Sequence, residues 1–289
     1  MNQHTHNMQP TQATGVPFDR DTFLASLPET LSPERREVAE RLASRPWFAE
    51  TNPELRDELL GLPENHHGFL DDLANRPDEI AGVQVEKLVG LPRGNFALVP
   101  TFQVYNPKQD ARYTYEYVSW KQGPHSGAKG IVFVRPPLPG ASPTHFIVMV
   151  GDKFAPGKKS FDLIGGFVEL DPRGVEKAGE TALREIREET GVEDLHIDEV
   201  VDLGQLQIDA GMTNNNPGIF AAFTDTEQAD RIPADPINTD ITELASGALK
   251  VPMSQLKQFV LENTDAFFQA AMLKALVSGN VPWEWLARD

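Results

Sequence analysis

The chain contains no cysteine. That single absence excludes disulfides, thiolate nucleophiles, iron–sulfur clusters and cysteine-ligated zinc. No uninterrupted apolar run approaches the ~20 residues that a bilayer-spanning helix needs. The first residues, Met1-Asn2-Gln3-His4-Thr5-His6, have neither the basic nor the apolar segment of a secretory signal. The expectation is a soluble cytoplasmic protein without a membrane partner. Basic residues are scarce as well: 26 Lys and Arg stand against 43 Asp and Glu, a formal charge of -17. Such a chain repels polyphosphate backbones, so nucleic acid is not an expected partner. A small anionic ligand is still compatible, because a bound divalent cation reverses the local field.

What is present divides the chain. Residues 1–17 are polar and unpatterned and read as a disordered tail. Residues 18–92 read as a helical extension. Ser32-Pro33-Glu34 and Asn52-Pro53-Glu54 each supply a cap, a proline at the first helical position and an early acid, and Gly61 is a natural stop. Residues 93–289 form the expected main unit, with its core over 129–280. Strands are expected at 96–105, 113–120, 130–134, 145–150, 161–168, 199–208 and 219–223, being short, β-branched or aromatic, and bounded by Pro and Gly. The run 113–120 alternates as a half-buried strand should. A helix is expected over 175–190, and two more over 253–262 and 265–278. Trp283 and Trp285 are expected to anchor the C-terminus by packing. The fold class is α+β, a sandwich with helices on both faces of a mixed sheet, behind a mostly helical N-terminal extension.

The informative stretch runs from Gly165 to Val192. On a helix, Val175, Ala182 and Ile186 share the face to be buried. Glu185, Glu188 and Glu189 stand at i, i+3 and i+4, so they cluster on another sector and repel. Arg184 and Arg187 offset only part of that charge. A divalent ion with hard oxygen ligands, Mg²⁺ or Mn²⁺, would resolve the rest. Gly191 ends the helix. Upstream, Gly165-Gly166 allows a sharp turn and brings a carbonyl close to a ligand.

This pattern resembles the Nudix hydrolase family. Glu176, seven residues, then Arg184-Glu185-Ile186-Arg187-Glu188-Glu189-Thr190-Gly191-Val192 matches the family signature after its first glycine. The signature places that glycine where Leu170 stands, so the loop after Gly165-Gly166 is four residues longer than the pattern. The resemblance implies a Nudix-type α/β/α sandwich and hydrolysis of a diphosphate linkage, with Mg²⁺ or Mn²⁺ as cofactor. It implies Glu188 and Glu189 as metal ligands, Glu185 as a third ligand or the general base, and a carbonyl ligand from Gly165 or Gly166. Arg184 would orient a glutamate and Glu176 would brace the helix. In some members the base lies on a late loop, where Asp240 and Glu243 are the candidates.

Substrate signals are thinner. The turn 211–218, with Asn214 and Asn215, occupies the place of a Pro-Gly loop in ADP-ribose pyrophosphatases, and those amides could bond a ribose or phosphate. Lys153, Lys158, Lys159 and Arg173 lie near the glycine turn and could contact phosphates. Each is otherwise a solvated side chain. A nucleotide-sugar diphosphate such as ADP-ribose is the first substrate expected, and the family's frequent dimerisation allows a homodimer. The competing readings are a catalytically silent nucleotide-sensing module, a nucleoside-triphosphate sanitiser, and an N-terminal protein-interaction module attached to a hydrolase.

Overall fold

The computed structural model describes residues 17–138, 140–153, 155–171, 174–233 and 246–287. Five helices come first: α1 (Arg20–Ser26), α2 (Pro33–Ala43), α3 (Pro46–Glu50), α4 (Pro53–Leu60) and α5 (His67–Asn75). Ser32 and Asn52 cap α2 and α4 as their sequences predict, accepting from the amides of Arg35 and Leu55. Six strands follow: β1 (Glu79–Ile80), β2 (Val83–Gly90), β3 (Ala97–Leu98), β4 (Thr101–Asn106), β5 (Ala111–Glu116) and β6 (Ser119–Trp120).

β1, β2, β4 and β5 form an antiparallel sheet in that order. Trp47, Phe48, Phe69, Leu70 and Leu73 of the helices share one buried core with Leu88, Phe102, Val104 and Tyr117. This sheet straddles residue 92, so the strands on both sides of that position belong to one layer. Strand β2 escapes sequence patterning because a bulge between Val85 and Lys87 breaks its alternation. The strand expected over 113–120 divides in two. Tyr113 and Tyr115, on the edge strand β5, are largely exposed, and Tyr117 is the one that enters the core.

The second half holds β7 (Gly127–Arg135), β8 (His145–Lys153), β9 (Lys158–Asp162), β10 (Ile164–Phe167), β11 (Leu170–Asp171) and β12 (Gly174–Val175). After them come α6 (Ala178–Thr190), β13 (Glu199–Gln205), β14 (Gly218–Asp225), α7 (Thr226–Ala229) and β15 (Ser246–Pro252). The closing helices are α8 (Leu256–Glu262), α9 (Ala266–Val277) and α10 (Glu284–Ala287).

The main sheet is mixed, in the order β13-β14-β7-β8-β15, with β10 added to β7 and β9 to β8. Among its described strands only β7 and β14 run parallel. The period of two along β7 builds the layers. Ile131 and Phe133 face α8 and α9, packing with Leu256, Phe268 and Met272. Val132 and Val134 face α6, packing with Ala182 and Ile186. The result is an α/β/α sandwich, with α6 and the short α7 on one face among the described residues. Trp285 packs against the α8–α9 side, whereas Trp283 is half exposed. No helix among the described residues is long and apolar enough to cross a membrane.

Candidate active site

Helix α6 begins at Ala178, three residues later than its sequence pattern suggests, because Val175 pairs with Leu170 in the short ribbon β11–β12. That ribbon accounts for the lengthened loop. The Glu176 amide donates to the Glu169 carbonyl at 2.9 Å, and the Glu169 amide donates to Glu176 Oε2 at 3.2 Å. The extra residues therefore leave and return at nearly one point, and the helix behind them is undisturbed. At the other end Gly191, at φ 68°, caps the helix in the left-handed region.

Arg184 is the hub. Its Nε and Nη2 fork onto the two oxygens of Glu176, each at 3.1 Å, and Nη2 also donates to the Phe167 carbonyl at 2.7 Å. Its Nη1 reaches Glu185 Oε1 at 2.7 Å and Glu188 Oε2 at 2.8 Å. With the Glu169 amide, Thr181 Oγ1 at 2.9 Å brings the donors on Glu176 to four. Burial opposes ionisation of Glu176, yet these bonds hold its carboxyl below the usual range. Glu185 is buried and Glu188 is half exposed.

Glu189 turns away from this hub and accepts from the Gly165 amide at 3.1 Å. Burial pushes its carboxyl up to about 8; Glu185 pushes the same way, against the opposing pull of Lys129. Gly165 and Gly166 have distinct reasons to be glycine. Gly165 sits at φ 148°, and a Cβ there would overlap the Ala128 carbonyl. At Gly166 a Cβ would overlap the Glu185 carboxylate. The glycine pair and the acidic side of α6 are thus in direct contact.

In this arrangement Glu185 and Glu188 meet on Arg184, and Glu189 meets the main chain. Among the described residues no group of three or more His, Asp or Glu side chains is gathered closely enough to hold an ion. Arg184 offsets more of the clustered charge than its sequence position suggests, because its fork serves three glutamates at once.

Lys129 and Asp162 are additions that sequence patterning missed. Lys129 pairs with Gly165 across the β7–β10 ladder. Its Nζ lies 3.1 Å from both Asp162 oxygens. Lys153 Nζ reaches the same carboxylate at 3.4 Å. Burial would raise the Asp162 carboxyl, but the two ammonium groups hold it below its usual range. The available signal was a lysine inside the apolar strand 127–135, which is costly unless paired.

The other substrate candidates separate. Asn214 Nδ2 donates to Asp72 Oδ2 of α5 at 3.0 Å, and Asn215 Oδ1 accepts from Ser126 at 2.9 Å. Their amides tie the turn to the protein itself, chiefly to the N-terminal layer. Thr213 Oγ1 and the Val118 carbonyl strengthen that seam at 2.8 Å. The same layer reaches the glycine turn, since Trp120 packs on Phe167 with ring centroids 5.5 Å apart. Lys158 and Lys159 are exposed on β9. Arg173, Asp240 and Glu243 lie outside the described residues.

The Glu189 position makes a pH prediction. A folded carboxyl raised to about 8 from its ordinary 4.5 favours the protonated form. Between those values the native state holds more protons than the unfolded chain, so stability falls as pH rises. Without divalent metal, the protein should therefore be more stable near pH 5 than near pH 8. Glu189→Gln should flatten that part of the slope and raise the melting temperature at pH 8. Thermal melts across pH 4.5–8.5 in chelator check this, and identical slopes would contradict it.

No family model matches the chain, and no curated protein matches it by sequence. Among solved structures, one described as the crystal structure of an ADP compounds hydrolase is similar, with 15% identity and a TM-score of 0.50. The match covers 71% of this chain and 98% of that one. At this identity the likeness is one of fold, an α/β/α sandwich on a mixed sheet.

Proposed function

We propose that the chain is a divalent-metal-dependent hydrolase of the diphosphate linkage in a nucleoside diphosphate joined to another moiety, with ADP-ribose or a related nucleotide sugar as substrate. One observation carries this reading: Glu185 and Glu189 of α6 abut the Gly165-Gly166 turn, Glu188 shares Arg184 with Glu185, and the Glu189 carboxyl is pushed up to about 8. Burial is the main cause of that shift, with Glu185 adding to it against the pull of Lys129, so an ionised carboxylate at this position calls for a further positive partner. The donor set is hard oxygen throughout, which fits Mg²⁺ or Mn²⁺. Glu185, Glu188 and Glu189, with the Gly166 carbonyl, would hold the ion. The fold likeness to a structure described as an ADP compounds hydrolase supports the same class of substrate.

A bound divalent ion would polarise the diphosphate and lower the pKa of a water. The chain's own residues supply the rest. Water adds at one phosphorus, the bridging P–O bond breaks, and two phosphate-bearing products leave. As the alternative to its ligand role, Glu185, held by Arg184, accepts the proton of the attacking water; Asp240 and Glu243 are the other candidate bases. Arg184 fixes the glutamates through its fork on Glu176. Lys153, whose Nζ lies 3.4 Å from Asp162, would contact a phosphate beside the glycine turn.

A panel of nucleotide sugars, dinucleotides and nucleoside triphosphates, assayed with Mg²⁺ and with Mn²⁺, tests the proposal. Turnover should require metal and should fall at least about a hundredfold in Glu188→Gln, the scale of losing a principal charge-stabilising group. The silent nucleotide sensor draws on Arg184 already offsetting Glu185 and Glu188. Binding of one panel member with turnover of none would select it.

A further inference from the structure

A cavity of about 450 Å³ opens beside the first turn of α6, where β13 ends and where β7 and β14 begin. Three glycines, Gly127, Gly204 and Gly218, leave its walls bare of side chains. Its volume lies within the ~300–1,000 Å³ of small-molecule sites. Glu176 lines it and also receives the fork of Arg184, so the cavity and the pair Glu185 and Glu188 sit on opposite sides of one ion pair.

The lining selects against phosphate. Among the described residues it carries two carboxylates, Asp202 and Glu176, and no lysine or arginine. A diphosphate would be repelled there, whereas a neutral group rich in hydrogen-bond donors would not. Asp202 Oδ1 accepts from the Gly204 amide at 2.7 Å, which leaves its second oxygen for a ligand donor.

A short relay fixes the remaining polar group. Asn216 Nδ2 donates to Gln205 Oε1 at 2.8 Å, which turns the Gln205 amide nitrogen toward His125. Gln205 Nε2 lies 3.1 Å from His125 Nδ1. The nearer partner, the Gln205 amide nitrogen, can only donate, and on that contact the acceptor role is assigned to Nδ1 and the imidazole proton to Nε2. The Asn216 carbonyl, 3.3 Å from Nδ1, is then a neighbour and not an acceptor. His125, which is exposed and lines the cavity, therefore offers one N–H donor.

We infer that this cavity is a nucleoside subsite, in which His125 Nε2–H donates to a ring nitrogen and Asp202 accepts the amino group of an amino-bearing base. It deepens the hydrolase reading, on which its place in the reaction rests, by assigning the uncharged half of the substrate. An adenine-type base fits this donor and acceptor order, and its 6-oxo counterpart does not. The occupant would lie one guanidinium away from Glu185 and Glu188, with its phosphates directed toward the box.

The test uses the full chain and free nucleosides, so binding is read without turnover or metal. Calorimetric titration should show adenosine binding at least about fivefold tighter than inosine. His125→Ala should weaken adenosine at least tenfold. Asp202→Asn, which exchanges an acceptor for a donor, should bring the adenosine-to-inosine ratio to one or below. Both residues are exposed, and unchanged thermal melts confirm that the variants fold. Adenosine that fails to bind at millimolar concentration, or binds equally to wild type and His125→Ala, overturns the assignment.

Hydrolysis separates the two readings. Metal-dependent turnover with no adenosine binding leaves the hydrolase standing and removes the cavity. Adenosine binding with the expected variant effects, but no turnover of any diphosphate, does the reverse. With both readings correct, His125→Ala raises KM about tenfold and changes kcat less.

Discussion

Arg184→Ala is expected to cost about 3 kcal/mol of stability and at least a hundredfold in turnover, the largest combined loss of any single side chain in the site. The estimate follows from what the guanidinium leaves behind. Glu176 and Glu185 are 13% and 11% exposed, so removal of Arg184 takes the shared cation from two shielded carboxylates. Breaking a buried ion pair costs about 3–5 kcal/mol, and the bonds that Glu176 keeps from Thr181 and the Glu169 amide put the expectation at the lower end. Glu188, at 50% exposed, adds little to that sum. Arg184→Lys keeps the charge but cannot fork onto Glu176 while donating to the Phe167 carbonyl. It should recover part of the stability and little of the turnover. Denaturant melts with kcat for both variants check this, and a lysine variant with wild-type kcat would contradict it.

The glycine pair should separate folding from activity. Gly165→Ala places a Cβ against the Ala128 carbonyl and the Lys129 backbone, at a φ of 148° that a side chain rarely adopts. Backbone cannot step aside, so strain and overpacking should together cost about 3 kcal/mol or more. At Gly166 the obstacle is the far end of the Glu185 side chain, which can swing away. Gly166→Ala should therefore melt within about 1 kcal/mol of wild type, while its displaced carboxylate lowers kcat at least a hundredfold. Soluble yield, melts and kcat distinguish the pair. Equal losses of stability in both variants would contradict the contact assigned to Gly166.

Local signals in the sequence carried the elements of the site, and long-range pairing carried its assembly. The i, i+3, i+4 spacing of Glu185, Glu188 and Glu189 and the Gly191 cap are properties of one helix, so they are readable from one stretch. The same holds for the two faces of β7. Lys129 meets Asp162 only because β8 and β9 bring residues 33 positions apart together, and no local pattern encodes that. Asn214 finds Asp72 across 142 positions, so an amide that resembles a ligand contact in sequence becomes a clamp on the N-terminal layer. The ribbon β11–β12 was visible only as a length mismatch, since two residues on each strand give no periodicity.

The N-terminal layer gains a physical role from these contacts. It packs Trp120 on Phe167 and bridges Val118 to Thr213, while Phe167 offers its carbonyl to Arg184. It therefore buttresses the glycine turn and the 209–216 loop from outside the sandwich. That arrangement links the first core to the candidate site through main-chain contacts that sequence could not place.

The central claim is that the acidic side of α6 holds a divalent cation against Gly165-Gly166. Titration of Mn²⁺ into the metal-stripped protein, followed by the loss of the free-ion electron paramagnetic resonance signal, tests it most directly. The account predicts saturable binding at pH 8 that weakens at least tenfold in Glu189→Gln and in Glu188→Gln, as loss of a carboxylate ligand from a hard-cation site requires. Mn²⁺ binding of equal affinity in wild type and both variants would contradict it.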